Sequence, residues 1–168
     1  MIKERFVVDS NFFIQAHRVT YPLDVATGFW SKVKHLAHKG VIVSIDKVKN
    51  ELYYKNDDLK HWCIANLPKN FFKNSAEVIE QYSKVTYWAI SKKGHYLPNA
   101  LNEFLDSDEA DAFLVAFALF DSQNRIIVTH EVSQPSRKNK IKIPEACNAL
   151  NIQYMNTIEM FRKLSETF

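Results

Sequence analysis

The chain has 168 residues and a formal net charge of +3, and 46% of its residues are hydrophobic. That length suits one sizeable core rather than two, so we expect a single domain over residues 1–168. The longest apolar run, residues 112–120, is far shorter than the roughly 20 residues that a membrane helix needs. The composition is that of an ordinary soluble globular protein, and the mild charge does not by itself indicate a nucleic-acid partner.

The first element is a predicted strand at Arg5–Val8, a short aromatic and β-branched run that ends abruptly at Asp9. The residues before it show no signal-peptide pattern, so we expect a cytoplasmic protein. Apolar residues then recur at helical spacing over residues 29–37, and Gly40 is placed to end that helix. A second strand is predicted at residues 41–45.

The middle of the chain is predicted to be mostly helical. Directly after the second strand, helical spacing places Val48, Glu51 and Leu52 on one face. Residues 59–105 are predicted to be helical with interruptions. They include a long helix that Gly94 ends, whose apolar stripe is predicted to consist of Val78, Ile79, Tyr82, Val85 and Ala89.

The last third of the chain returns to alternating elements. The most apolar helix is predicted at residues 110–120, followed by a strand at 126–129, a helix at 145–150 and a short strand at 152–155. Asn156 would cap a final helix. Alternating strands and helices predict an α/β fold, with a mainly parallel four- or five-stranded sheet flanked by helices and joined by right-handed crossovers.

Two carboxylates fall at predicted strand ends, where the sites of open α/β sheets form. Asp9 follows the first strand and Glu131 closes the third. Asp9 could instead only cap the helix that begins after it. Taken alone, each acid is a weak indication of function.

Three further acids lie on or beside predicted helices. Glu51 borders an apolar face and could be an ion-paired edge residue. Asp111 stands in the first turn of the most apolar helix, with Asp108 three residues earlier and predicted on the same face. Favourable interaction with the helix N-terminus is the structural alternative for these two. A carboxylate that tends toward the interior, as we expect of Asp111, normally has a partner.

Converging carboxylates would repel one another and raise one another's pKa values unless a cation neutralised them. Oxygen-only sites suit Mg²⁺ or Mn²⁺ rather than zinc, and no His and Cys set with zinc spacing is present. His130 is expected to point away from Glu131 because neighbouring strand residues face opposite sides. Cys63 and Cys147 are far apart and are predicted to be reduced core thiols. The P-loop, GxSxG, GxGxxG and HExxH motifs are absent.

A basic run lies close after the last strand-end acid and consists of Arg137, Lys138, Lys140 and Lys142. An acidic site beside a basic rim suits a metal-dependent enzyme that acts on a polyanion such as RNA. An ordinary solvated loop is the alternative. Tyr53, Tyr54 and Trp62 could stack on unpaired bases, although packing between helices is the more common role for such residues.

Four segments resemble PIN-domain proteins and cover nearly the whole chain. Residues 6–14 are similar to the PIN opening strand with its Asp-Ser/Thr-Asn triplet, and residues 44–52 to the segment that carries the second acid, here Glu51. Residues 110–116 are similar to the helix with the third acid, Asp111. Val128-Thr129-His130-Glu131 resembles the Thr-x-Asp element, with Glu in place of Asp. A narrower similarity is to a bacterial PIN-like group described as domain of unknown function 4411.

The resemblance implies a three-layer PIN-like fold and a metal-dependent endoribonuclease. Mg²⁺ or Mn²⁺ would be held by Asp9, Glu51, Asp111 and Glu131, with Asp108 as a further ligand. Ser10 or Asn11 would orient a carboxylate or contact phosphate, and Thr129 would hydrogen-bond Asp9. Because Glu131 is one methylene longer than the usual Asp, it would act through water or contribute little.

The resemblance also implies partners. Small bacterial PIN proteins are frequently toxins of toxin–antitoxin pairs and many form homodimers, so an antitoxin protein and a second copy are expected alongside the RNA substrate. A non-catalytic PIN-like module that binds RNA or protein is the alternative. A nuclease that prefers DNA flaps is a further one, but the short chain lacks obvious room for extra DNA-binding elements.

Overall fold

A computed structural model describes residues 4–168 and shows an α/β architecture. Residues 1–3, which belong to the segment where no signal-peptide pattern was found, lie outside the described residues. The strands are β1 Arg5–Val8, β2 Ile42–Ile45, β3 Phe72–Lys73, β4 Arg125–Val128 and β5 Tyr154–Met155. They form one sheet in the order β3-β2-β1-β4-β5, and every neighbouring pair is parallel.

The central strands are continuous apolar runs because helices cover the sheet on both faces. In β1 every residue after Arg5 is buried, and β2 is buried throughout. Ser44 is the polar exception in β2, and its hydroxyl donates a 2.7 Å hydrogen bond to the carbonyl oxygen of Val8. A buried hydroxyl with a partner is tolerated in such a strand.

The helices are α1 Ser10–Gln15, α2 Thr27–His38, α3 Asp46–Tyr54, α4 Asp58–Asn66, α5 Ile79–Ser91, α6 Pro98–Phe104, α7 Asp111–Leu119, α8 Ile143–Leu150 and α9 Thr157–Lys163. A π-helical turn, Ala16–Thr20, continues α1, and a 3₁₀ turn, Ser75–Val78, precedes α5. Asn156 caps α9 through a capping box with Glu159, as predicted. Within residues 4–168, no helix combines the length and apolar character that a membrane span requires.

The direction of strand addition reverses at β1. The chain first builds outward through β2 and β3, then crosses back to place β4 and β5 on the other side. Because parallel crossovers are right-handed, this reversal puts the helices that precede β4 on the opposite face from those that precede β2. The result is a sheet with helices on both faces, which confirms the predicted fold class and is consistent with a three-layer PIN-like fold.

Helix α7 is the centre of one helical layer. It packs against α5, α8 and β4, and each of its residues from Ala112 to Ala118 is buried. A helix that is apolar all round is expected only where neighbours surround it. Its first residue, Asp111, is its charged residue. The carboxylate of Asp111 is therefore held at the N-terminus of a buried helix.

Two predictions in the middle of the chain are wrong. Residues 59–105 contain a strand, β3, which was not predicted because its two residues depend on pairing with β2 rather than on a local pattern. Ile79 was placed in the apolar stripe of α5 but is 52% exposed. The helix begins only at this residue, so the 3₁₀ turn before it shifts the buried face.

The predicted core thiols are confirmed as buried and unpaired. Cys63 and Cys147 are both free. Burial raises the pKa of each thiol to about 12, so neither is ionised at neutral pH.

Candidate active site

The candidate site lies in the crevice at the carboxyl ends of β1 and β4. These adjacent strands flank the point where the strand order reverses, which is where open α/β sheets bind ligands. Asp9 follows β1, and Thr129 follows β4. The side chains meet there, since the hydroxyl of Thr129 donates a 2.8 Å hydrogen bond to Oδ2 of Asp9. The hydrogen bond expected between these two residues is therefore present.

Asp9 is 4% exposed and is also the N-cap of α1. Its Oδ1 accepts a 2.9 Å hydrogen bond from the backbone N–H of Phe12. Burial raises the pKa of Asp9 to about 7, the two hydrogen bonds act in the opposite direction, and the charges of Glu131 and Glu51 raise it further. Desolvation therefore outweighs the hydrogen bonds, and near neutral pH this carboxyl is only partly ionised.

Asp111 is the first residue of α7 and is partly buried. Burial raises its pKa to about 8, and the charges of Glu131, Asp9 and Glu51 add to the rise, while Lys140 acts against it. The carboxylates at the four positions indicated by the resemblance are thus close enough to influence one another. The charges of Glu51 and Glu131 act on both Asp9 and Asp111, so the four side chains lie around one region of the protein.

Glu51 joins α3 to the start of α7. The side chain is partly buried, between the buried residues Val48 and Leu52 of its helix, and its Oε1 accepts a 3.3 Å hydrogen bond from the backbone N–H of Ala110. Helix N-termini leave such N–H groups unpaired, and an acid is favourable there. Glu51 consequently accepts a hydrogen bond at the N-terminus of α7, and its charge acts on Asp111, the residue after Ala110.

Glu131 is held from two sides. Its Oε2 accepts a 2.7 Å hydrogen bond from the backbone N–H of Ile143 at the start of α8, and its Oε1 lies 3.7 Å from Nζ of Lys140. The backbone N–H of Glu131 also donates to the hydroxyl of Thr129 over 3.1 Å. The longer side chain thus reaches a helix N-terminus and a lysine in addition to the crevice.

The other predicted site residues take different positions. Asp108 is exposed in the turn before α7, where its backbone N–H donates to Asp106, so the prediction that it shares a helix face with Asp111 is wrong. The residues before Asp111 form a turn instead of extending the helix, so Asp108 does not continue its face. Ser10 and Asn11 form the first turn of α1 directly after Asp9, Ser10 partly buried and Asn11 exposed.

The predicted basic residues lie on one loop between β4 and α8. Arg137 bonds its neighbours Asn139 and Gln134, and Nζ of Lys142 donates to the carbonyl oxygen of Val132 over 3.2 Å. Lys138 is exposed. Lys140 alone of these four pairs with Glu131.

The remaining predictions concern three aromatic side chains and His130. The ring of Tyr53 packs against Phe72, and that of Trp62 against Trp30, with centroids 6.0 and 4.7 Å apart, so packing between elements accounts for both. Tyr54 is 88% exposed. His130 turns to Thr157, and its ring nitrogen lies 3.2 Å from that hydroxyl.

Two acids near the cluster were missed as neighbours of the site. Burial raises the pKa of Glu109, and the charges of Glu51, Asp106 and Glu103 contribute to the rise. With Asp111, Glu103 and Glu109 line a small cavity of about 20 Å³. Glu103 lies on α6, which no pattern in the sequence brings to this edge, because its placement depends on the packing of the helical layer.

The donor chemistry of the cluster fits Mg²⁺ or Mn²⁺. All four side chains offer carboxylate oxygens, and a divalent cation would relieve the charge repulsion that adds to the effect of burial in raising the pKa values of Asp9 and Asp111. The geometry is not a closed metal shell. Among residues 4–168, no three His, Cys, Asp or Glu side chains are grouped so that they could hold one ion.

Fold and site together define the class: an α/β protein with an all-parallel sheet and a cluster of partly buried carboxylates at its switch-point crevice. The chain belongs to the family described as Domain of unknown function (DUF4411), whose sequence model matches residues 6–168. This match confirms the similarity to domain of unknown function 4411. No curated protein matches the chain.

Proposed function

We propose that this protein is a PIN-domain, metal-dependent endoribonuclease that hydrolyses RNA phosphodiester bonds. The observation that carries the proposal is the position of Asp9 at the end of β1, bonded to Thr129 after β4, with Asp111 at the start of α7 near enough for the charge of Asp9 to raise its pKa. Their pKa values of about 7 and about 8 reflect burial together with the charges of Glu51 and Glu131. These are the four positions that the PIN resemblance indicates, so the sequence similarity and the electrostatic coupling agree.

Asp9, Glu51 and Asp111 would have to draw closer together to hold the ion directly, since no three such side chains of residues 4–168 are grouped for this. Glu131 would act from further away because its carboxylate is already bound by the backbone N–H of Ile143 and paired with Lys140. A divalent ion supplies an acidified water and offsets charge on the phosphate and the leaving oxygen. Asp108 faces solvent from a turn and is the weakest candidate ligand.

The residues around Asp9 fix its orientation. Phe12 and Thr129 each donate to a different oxygen of this carboxylate, so its plane is set before any ligand arrives. Carboxylates that hold metals generally need such partners. Ser10 and Asn11, the next residues, would contact a phosphate at the same edge.

RNA would approach across the basic loop. Arg137, Lys138 and Lys142 offer positive charge on the same loop as Lys140, as phosphate binding requires. A groove of about 650 Å³ begins at Thr129 and Glu131 and continues along the edge of β5. Single-stranded RNA that crosses the loop into this groove would pass the carboxylates.

The biological setting belongs to the same proposal. The protein would be the cytoplasmic toxin of a bacterial toxin–antitoxin pair, neutralised by an antitoxin and able to form a homodimer. This part of the proposal rests on the PIN resemblance alone. Exposed apolar side chains on α5, Tyr87 and Ile90, offer a surface that a protein partner could cover.

A non-catalytic PIN-like module that binds RNA or protein is the second candidate. The observation that favours it is Glu131, whose carboxylate is engaged by Ile143 and Lys140 rather than directed only into the crevice. Such a module would bind RNA through the basic loop without cleaving it.

The test is cleavage of single-stranded RNA with Mn²⁺ by the wild type, Asp9→Asn and Asp111→Asn. We expect each substitution to lower kcat/KM by more than about 100-fold, because an amide is nearly isosteric but a poor metal ligand. Asp24→Asn, at an exposed position, is the matched control and should cleave like the wild type. Circular dichroism checks that each variant folds.

Two results would decide against the nuclease. Equal cleavage by all four proteins would point to a contaminant and remove the proposed site. RNA binding by the wild type without cleavage, in Mg²⁺ and in Mn²⁺, would favour the non-catalytic module.

A further inference from the structure

Lys140 stands among carboxylates at the proposed site. Its Nζ lies 3.7 Å from Oε1 of Glu131, and the two side chains are 36% and 14% exposed. Lys140 also lines the small cavity that Asp111, Glu109 and Glu103 line. Its positive charge lowers the pKa of both Asp111 and Glu109. The lysine therefore faces several acids at once rather than one surface partner.

The backbone on both sides holds Lys140 in this position. The next residue, Ile141, is buried, and the N–H of Ile143 donates to the same Glu131 carboxylate. On the other side, the carbonyl oxygen of Lys138 accepts a 2.9 Å hydrogen bond from Leu97. The position of the Lys140 backbone beside the acids is consequently part of the folded loop.

The other cations of the loop behave differently. Arg137 bonds two neighbouring side chains, Nζ of Lys142 is directed to a carbonyl oxygen, and Lys138 is exposed. The four cations of the loop therefore differ in position: Lys140 lies beside the acids, and the other three do not pair with them.

An ammonium group and a divalent cation compete for the same carboxylates, because each is stabilised by the same negative charge. We propose that Lys140 is the internal counter-ion of the carboxylate cluster: a divalent metal ion takes over the neutralisation of these acids, and Lys140 is then free to leave Glu131 and bind a phosphate oxygen of the substrate. The metal and the RNA in this statement rest on the proposed function. Lys140 would therefore regulate metal binding, in addition to offering positive charge to RNA.

The test is the Mn²⁺ affinity of metal-free protein, measured by isothermal titration calorimetry in the absence of RNA. We expect Lys140→Met to bind Mn²⁺ at least about fivefold more tightly than the wild type, since it removes the competing charge. Lys138→Met is the matched control from the same loop, with the same change in net charge, and should stay within about twofold of the wild type. Lys140→Arg keeps the charge and should also resemble the wild type.

A thermal melt adds an independent measurement. In EDTA, Lys140→Met should melt below the wild type because the acids lose their cation, and Mn²⁺ should raise its melting temperature by more than that of the wild type. If Lys140→Met does not fold, Lys140→Gln takes its place. Equal Mn²⁺ affinity of wild type and Lys140→Met, an equal gain in Lys138→Met, or no Mn²⁺ binding by any of them would overturn the proposal.

The RNA cleavage assay separates this inference from the proposed function. Tighter Mn²⁺ binding by Lys140→Met with no cleavage by any protein supports the counter-ion while removing the nuclease. Mn²⁺-dependent cleavage by the wild type with unchanged Mn²⁺ affinity in Lys140→Met supports the nuclease and removes the counter-ion.

Discussion

Asp9 performs two tasks at once, and its two carboxylate oxygens make this feasible. One oxygen accepts from the backbone N–H of Phe12 and so caps α1, while the other accepts from Thr129 at the end of the neighbouring strand. A carboxylate has about four acceptor positions, so both bonds leave room for a cation. Capping and ligand binding are therefore compatible at this residue.

Thr129→Val tests how far this positioning matters. The hydroxyl lowers the pKa of Asp9, so its loss should raise that pKa, let the proton compete with the metal, and weaken Mn²⁺ binding at pH 7 by about tenfold. Calorimetry provides the measurement. Thr129→Ser keeps the hydroxyl and should bind like the wild type. Unchanged affinity in Thr129→Val would mean that the hydrogen bond is only structural.

At the scale of elements, a hydrogen bond to the carboxylate of Glu51 connects α3 to the start of α7. Glu51 on α3 accepts from Ala110, which directly precedes α7, and Asp111 follows at once. Because α7 is buried along its length, its start cannot shift without disturbing the core. The distance between Glu51 and Asp111 is thereby set by the packing of two helices.

The basic loop between β4 and α8 is also held in place. Glu145 of α8 accepts from the hydroxyl of Ser133 and, over 2.9 Å, from the backbone N–H of Gln134. The carbonyl oxygen of Arg137 lies 3.2 Å from a ring nitrogen of His95 on the connection between α5 and α6. A loop fixed by neighbouring elements presents its charges in a defined arrangement.

Lys138→Ala should weaken RNA binding without changing the chemical step. We expect the slope of log K against log salt concentration to become less steep by about 0.7 for single-stranded RNA, the value for one lost phosphate contact. Fluorescence anisotropy at several salt concentrations measures it. Lys34→Ala, at an exposed position on α2, is the control. An unchanged slope in Lys138→Ala would remove this lysine from the RNA-binding surface.

For the whole molecule, the cluster makes stability depend on pH. The carboxyls of Asp9 and Asp111 ionise near pH 4 in the unfolded chain but at about 7 and about 8 in the folded protein. The folded state therefore holds more protons than the unfolded state between these values, and stability falls as the pH rises through this window. Below pH 4 both states are protonated, and no cost arises.

Asp111→Asn should accordingly stabilise the metal-free protein at high pH. In EDTA we expect its free energy of unfolding to exceed that of the wild type by at least about 1 kcal/mol at pH 9, with the difference shrinking toward zero near pH 4. Urea unfolding at both pH values measures it. Asp24→Asn should show no such dependence. A difference that is the same at both pH values would show that Asp111 does not ionise abnormally.

The sequence by itself determined most elements of this protein. Local periodicity is enough to find β1, β2, β4 and α7, because each buries a continuous or regularly spaced apolar surface. The position of Asp9 at a strand end and the PIN resemblance selected the four acids that the structure brings together. These features depend on residues close together in the chain.

Only the tertiary structure decided the arrangement within the cluster. The pairing of Lys140 with Glu131, the bond from Ala110 to Glu51 and the two-residue strand β3 all depend on how loops and helices pack, which no local pattern encodes. The same holds for the raised pKa values, since burial of Asp9 and Asp111 arises from the packed layers around them. The sequence determined which acids are present, and packing determined which of their neighbours share the charge.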